Sequence, residues 1–433
     1  MYRVATVLAI LTLAACTLLP NQSVTPEDWF QQGVTFLESR QYDEAIGAFS
    51  AAIELKPGYA QAYLKRGESW AGKGDFDKAI ADYTKALEIN PRDGQPYKNR
   101  GLAWAGKGDY NRAITDYTKA LELNPKDGPT YYHRGAALAA KGNLEKGLAD
   151  AKKALSLEPN NRTCVALVSS LEAKIADRGK ERYEEGVSLL GSGRYSEAIK
   201  AFSEAIDLNP RYGQAYLKRG ESWAGKGDFD KAIADYTKAL EINPRDGQAY
   251  RSRGLAYRKN GRLDPAITDY TKALKLNPKD SQAYGNRAIA WTEKGDFDKA
   301  IADYSEALEL NPKDAGAYTN RGFAWLKKEK LDQAITDFTK AIKINPRAAQ
   351  AYNNRGIAWA QKGDLNQAIS DFTMALEINP GYAQAYSNRG VTWAEKGELE
   401  SGLTDAKKAL SLEPKNKSYQ SIVAYMEEQI ASQ

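Results

Sequence analysis

The chain has 433 residues, enough for two or three ordinary domains or for one extended array. Lys and Arg total 61 against 56 Asp and Glu, a net charge of +5, too balanced for a dedicated nucleic-acid binder with its clustered basic excess. One histidine (His133) and two cysteines (Cys16 and Cys164) exclude most zinc sites and every His-based catalytic pair but one.

Residues 1–15 read as a secretory signal. Arg3 supplies the positive start, and residues 4–13 form an apolar run of about ten, too short for the roughly 20 residues that span a bilayer. The sequence Leu13-Ala14-Ala15-Cys16 resembles the lipobox of bacterial lipoproteins. That resemblance implies cleavage before Cys16 and lipid attachment to its thiol and new amine, with several acyl chains holding the chain to a membrane. Thr17 stands where an Asp often retains such lipoproteins in the inner membrane, so the resemblance implies the periplasmic face of the outer membrane. Residues 16–25 form a polar tether.

Beyond the tether, prolines recur every 34 residues: Pro57, Pro91, Pro125 and Pro159, then Pro210, Pro244, Pro278, Pro312, Pro346, Pro380 and Pro414. In one unit, Tyr63, Gly67 and Trp70 lie on one face of a first helix, and Ala79, Tyr83 and Ala86 on one face of a second. Gly72-Lys73-Gly74-Asp75 supplies the stop and start between them, and Asn90-Pro91 ends the pair, because a residue before proline disfavours the α region. This period and signature resemble the tetratricopeptide repeat, and all eleven units fit it. The expected fold is therefore all-α, a solenoid of helical hairpins in which each unit's apolar face is covered by its neighbour.

The beat breaks once, between Pro159 and Pro210, a gap of one period plus 17 residues. The inserted segment, residues 162–178, resembles the cap helix that closes such arrays, and residues 418–430 supply a second one. Residues 61–95 and 214–248 are identical. The expected organisation is a four-unit block over 26–178 and a seven-unit block over 179–433, each ending in a cap.

The chain departs from the family pattern at one place. The residue before the signature glycine, usually Leu, is Arg66, Arg100, Arg134, Arg219, Arg253, Arg287, Arg321, Arg355 and Arg389. The residue before the second-helix aromatic place is Asp82, Asp116, Asp150, Asp235, Asp269, Asp303, Asp337, Asp371 and Asp405. The two opening units lack both, carrying Gln32 and Ala48, and Glu185 and Ala201. Arg and Asp are thus present or absent together, which predicts pairs such as Arg66–Asp82, Arg219–Asp235 and Arg355–Asp371 within a unit, joined by charge-assisted hydrogen bonds.

No catalytic residue, cofactor or metal is expected, and the Gly-Lys-Gly-Asp loops lack the frame of a phosphate-binding loop. Seven of the eight tryptophans fall at the third signature place and read as core. The resemblance implies that first helices line a concave groove for partner proteins or peptides. Arg251, Leu255, Arg258 and Lys259 in one unit, and Thr319, Phe323, Leu326 and Lys327 in another, would face it, a basic turn beside an apolar one that suits an acidic amphipathic peptide. The family's terminal-carboxylate clamp needs Lys and Asn four residues apart, and Lys98 is followed by Leu102 instead. The expected role is a lipid-anchored adaptor in the bacterial envelope, without catalysis and without nucleic acid. A structural spacer, or a receptor for an envelope ligand, is the alternative.

Overall fold

The computed structural model describes residues 24–432, so the signal segment and Cys16 lie outside the described part. The described residues form 23 helices and no strand. They run as consecutive hairpins, from Pro26–Glu38 with Tyr42–Leu55 to Ala383–Glu395 with Leu399–Leu412, and end in Lys417–Ala431. One 30-residue helix, Arg162–Gly191, contains both the segment after the fourth repeat and the first helix of the fifth. None of the described helices is long and apolar enough to cross a membrane.

By its contacts the chain separates into two compact units, the first ending at Arg178 and the second beginning at Gly179. Within each, the two helices of a repeat pack most extensively on one another, and each second helix then packs on the next first helix. First helices of successive repeats also touch, and no comparable approach joins second helices among the described residues. The row of first helices is therefore the shorter, inner one, and it forms the concave face of each stack.

Every hairpin turns through a left-handed residue, and in five of them an Asp side chain caps the second helix. The chain leaves the first helix through a left-handed residue, as at Gly74 (φ 84°), and the side chain of Asp75 then accepts the amide of Lys78 to cap the second helix. After the second helix, the side chain of Asn90 accepts the amide of Arg92, and Asp93 caps the next first helix. Ala79, Tyr83 and Ala86 are buried between the helices, and the same places repeat along both units.

The signature glycines serve a specific close approach. A Cβ on Gly67 would lie 2.6 Å from the Tyr83 ring, so the glycine makes room for the aromatic ring rather than for the second-helix backbone. In the two closing repeats the aromatic is Ala151 or Ala406, and the helices themselves close up. There a Cβ on Gly135 would lie 2.9 Å from the carbonyl oxygen of Gly147, and one on Gly390 2.8 Å from that of Gly402. The tryptophans are half-buried rather than core: Trp70 packs on the interior with one side, and the Lys78 ammonium sits 4.2 Å from its ring centroid.

Candidate functional site

The structure brings the arginines and aspartates together within each repeat. Arg66 donates from Nε to Asp82 Oδ2 at 2.8 Å and from Nη2 to Oδ1 at 2.7 Å. Arg219 holds Asp235 at 2.8 Å in both bonds, and Arg355 holds Asp371 at 2.7 and 2.8 Å. These bidentate pairs join the two helices of a hairpin, with the carboxylates buried, as for Asp82 and Asp371. The hydrogen bonds that Arg66 donates to Asp82 hold its guanidinium above its ordinary pKa.

A third partner escaped the sequence reading. Arg66 also donates from Nη1 to Ser50 Oγ at 3.0 Å, Arg219 to Ser203 Oγ at 2.9 Å and Arg355 to Thr339 Oγ1 at 3.0 Å. Each hydroxyl belongs to the preceding repeat's second helix, and Ser203 donates in turn to the Ile199 carbonyl. One guanidinium therefore fastens three helices. The signal was present in the chain: a Ser or Thr stands 16 residues before every one of these arginines. With Nε, Nη1 and Nη2 each bonded inside the stack, these arginines serve the packing of the hairpins.

Two of the three cations of the basic turn expected for the groove are paired with neighbouring residues. Arg251 donates to Gln282 of the next repeat and lies 3.6 Å from the Asp280 carboxylate. Arg258 donates to Glu293 at 2.7 Å, and its side chain is only 13% exposed. Both charges are spent on neighbours, while Lys259 and Leu255 remain exposed. Leu326 and Thr319, expected on the groove, are each 8% exposed: Leu326 packs with Ala334 and Phe338 in the core, and Thr319 donates its hydroxyl to the Ala315 carbonyl of its own helix. The place of Leu326 faces the second-helix aromatic. Thr292 there neighbours the hydroxyl of Tyr304, whereas Leu326 meets Phe338, which has no hydroxyl to satisfy. Phe323 does reach the groove, half-buried, with the Lys327 ammonium 5.4 Å from its ring centroid.

What the concave face of the second unit offers is a neutral strip. Asn286, Asn320, Asn354 and Asn388 occupy one place in four successive first helices, Asn354 buried and the other three half-buried, and Leu255, Ile289, Phe323, Ile357 and Val391 occupy the place three residues on. Asn286, Asn320 and Ile289 line a common cleft of about 460 Å³ whose one charged liner, Asp314, is engaged in capping its helix at Ala317. Asn388, Val391 and Ile357 line another of about 320 Å³ with a single charged residue, Glu395. Asn388 donates to Asn353 Oδ1 at 2.9 Å and accepts from Gln384 at 2.9 Å. Asn286 and Asn320 make no side-chain hydrogen bond to another described residue and keep a donor and an acceptor for solvent or ligand. This strip too was readable in principle, as asparagines at intervals of 34.

The first unit presents different chemistry at the matching places. Lys65 pairs with Glu68 at 2.8 Å, and Asn99 donates to Glu68 at 2.9 Å. His133 is half-buried between Tyr117 and Tyr132, and burial, with the Lys98 ammonium nearby, pushes its pKa below the ordinary value. Cys164 is a buried free thiol, its pKa pushed up by burial.

Family models described as tetratricopeptide repeat match residues 30–94, 183–247 and 251–315, residues 95–127, 315–347 and 349–382, and residues 116–149. No curated protein matches the chain. Similar solved structures include a tetratricopeptide repeat protein from Parabacteroides merdae, 20% identical over 58% of this chain and 99% of that one, with a TM-score of 0.47. YrrB, described as a TPR protein with an unusual peptide-binding site, is 26% identical over 45% of this chain and 97% of its own, with a TM-score of 0.39. Yeast Tom70 is 18% identical over 94% of this chain and 96% of its own, with a TM-score of 0.40. With the repeat models together covering well over half of its residues, the chain belongs to the tetratricopeptide repeat family.

Proposed function

We propose that this chain is a protein-binding adaptor, held by lipid on Cys16 at the periplasmic face of the bacterial outer membrane, and that the concave face of its second unit seats segments of partner polypeptides. The observation that carries the binding half is the set of half-buried amides Asn286, Asn320 and Asn388 beside Ile289, Phe323, Ile357 and Val391. A row that serves only as a spacer has no need of half-buried amides and apolar side chains facing solvent in register. The anchoring half rests on the signal-like residues 1–15 and the lipobox resemblance at Cys16.

The test is a photo-crosslinking residue at position 323 in the full chain expressed in cells, with the Cys16→Ser form alongside. The expected outcome is a small set of envelope proteins captured from position 323 and not from an exposed control position on the outer row, such as Lys340. The wild-type chain should sediment with membranes and Cys16→Ser should not. Equal capture from both positions would leave the groove without a role, and equal sedimentation of both forms would remove the lipid anchor.

A further inference from the structure

The outer row of the second unit carries a pattern of charge that its own helices do not use. On each second helix the residues at i, i+4 and i+7 form an exposed outward stripe, as with Thr268, Lys272 and Lys275. In three repeats the last two of these places hold Lys and Glu, which pair along the helix: Lys85–Glu88 at 2.6 Å, Lys119–Glu122 at 2.8 Å and Lys238–Glu241 at 2.7 Å. Three successive repeats of the second unit depart from this. They carry Lys272 and Lys275, then Glu306 and Glu309, then Lys340 and Lys343. Like charges one turn apart repel, so each of these helices replaces a favourable pair by an unfavourable one. All six side chains are exposed, and none forms an ion pair with another described residue.

The alternation extends to whole repeats. Repeat 247–280 has eight Lys and Arg against three Asp and Glu, repeat 281–314 has four against seven, and repeat 315–348 has seven against three. A surface whose sign alternates from repeat to repeat is complementary to itself. A twofold axis parallel to the helices, placed between Phe297–Leu310 and Leu331–Ile344, reverses the order of repeats and keeps the level along each helix. It sets Glu306 and Glu309 opposite Lys340 and Lys343 of a second copy, and the reverse. One repeat further out, Lys275 meets the exposed Glu377, and Lys272 meets the exposed Met374. A shift of one repeat toward the start sets Lys238 against Lys340, and a shift toward the end leaves Lys272 and Lys275 without a partner. The first place of the outward stripe is small in these repeats (Thr268, Ala302, Thr336 and Ser370), which lets two outer rows approach.

We propose that the outer row of the second unit is a self-association surface, on which a second copy of this chain docks about that twofold axis through Glu306, Glu309, Lys340 and Lys343. The contact leaves both concave faces open, and it stands or falls independently of what they bind. Exposed ion pairs are individually weak and screened by salt, so the dimer is weak and salt-sensitive, and is favoured where chains are held close together on a surface.

The experiment co-expresses two full chains with different tags and measures how much of the second co-purifies with the first in nonionic detergent. One variant is Lys340→Glu/Lys343→Glu and the other Glu306→Lys/Glu309→Lys, all at exposed positions, with circular dichroism to check that helicity is retained. Wild-type copies should co-purify at about 0.05 M salt and separate severalfold at about 1 M, where the screening length is about 3 Å. Each variant sets like charges face to face, and its self-association should fall about tenfold. The two variants expressed together should recover wild-type co-purification, because every Glu then meets a Lys again in the other copy. A photo-crosslinker at position 340 should capture the chain itself and no other envelope protein. Wild-type copies that do not co-purify, or a variant that still pairs with itself, would overturn the proposal. So would variants that fail to rescue one another, since the occupant would then be a different protein. An equal loss from Lys119→Glu on the first unit would reduce the effect to overall charge and would also end it.

Discussion

Each arginine of the clamp satisfies its own hairpin through Asp and reaches back to the previous repeat through a hydroxyl, so a single residue couples folding within a repeat to stacking between repeats. The place of the hydroxyl shows how strictly this is kept. It is Ser or Thr at all nine positions that precede a clamp arginine, and Lys at 152 and 407, where a cap helix follows. There the lysines meet carboxylates instead, Lys152 with Glu172 at 2.8 Å and Lys407 with Glu427 at 2.7 Å. Placing that lysine inside the array sets ammonium against guanidinium and removes an acceptor from a charged donor. Thr237→Lys, opposite Arg253, should therefore destabilise the local stack by about 1–3 kcal/mol, whereas Thr237→Ser should be neutral within about 0.5 kcal/mol. Amide hydrogen exchange in helices Phe229–Ile242 and Gly247–Lys259 reads this directly. Equal protection in the two variants would mean that the Nη1 bond contributes nothing.

At the scale of the helix and its turn, the period made the architecture legible before any coordinates. Helix pairs, their stops and the Arg–Asp coupling all followed from residues recurring at 34. Two things did not follow, for a common reason. Neither is visible within one repeat: the hydroxyl acceptor belongs to the preceding repeat, and the row of asparagines exists only across several of them. Leu326 was misplaced because helical spacing alone does not say whether a side chain beside the core stripe turns outward or folds over the next helix; the aromatic opposite decides that. The turns carry a prediction of their own. Nine of the eleven inter-helix turns place a glycine at positive φ, and the other two place Arg40 and Glu329 there, each at φ 57°. A side chain in that region costs about 1–2 kcal/mol, part of which glycine gives back through its freedom when unfolded. Glu329→Gly should stabilise the turn by about 0.5–1 kcal/mol and slow exchange across the start of helix Leu331–Ile344 by roughly two- to fivefold. Unchanged or faster exchange would show that local contacts of Glu329 outweigh the backbone strain.

Over the whole array, stability is a sum of repeats and of the interfaces between neighbours, so what must be preserved is the register rather than the length. Consider excision of residues 315–348, one full period. The new neighbours are already matched: Arg355 would find Ser305 in the place of Thr339, and Lys362 would find Asp298 in the place of Asp332. Asp314, a helix cap now, would cap the helix that begins at Ala349, where Ala348 makes no side-chain cap bond. The shortened chain should fold with the same helicity per residue as the parent, and lose affinity for peptides along the strip because Asn320 and Phe323 are gone. Excision of residues 315–331, half a period, removes half as much chain but sets second helix after second helix, with no arginine opposite the Ser305 hydroxyl. In nature this chain makes such a half-period step only at residues 162–178, where one block closes and the next begins. The half-period variant should show a clear drop in helicity per residue and in its thermal midpoint. Circular dichroism of the two side by side separates the possibilities: if the smaller excision is tolerated as well as the larger, the register argument and the clamp that enforces it are both wrong.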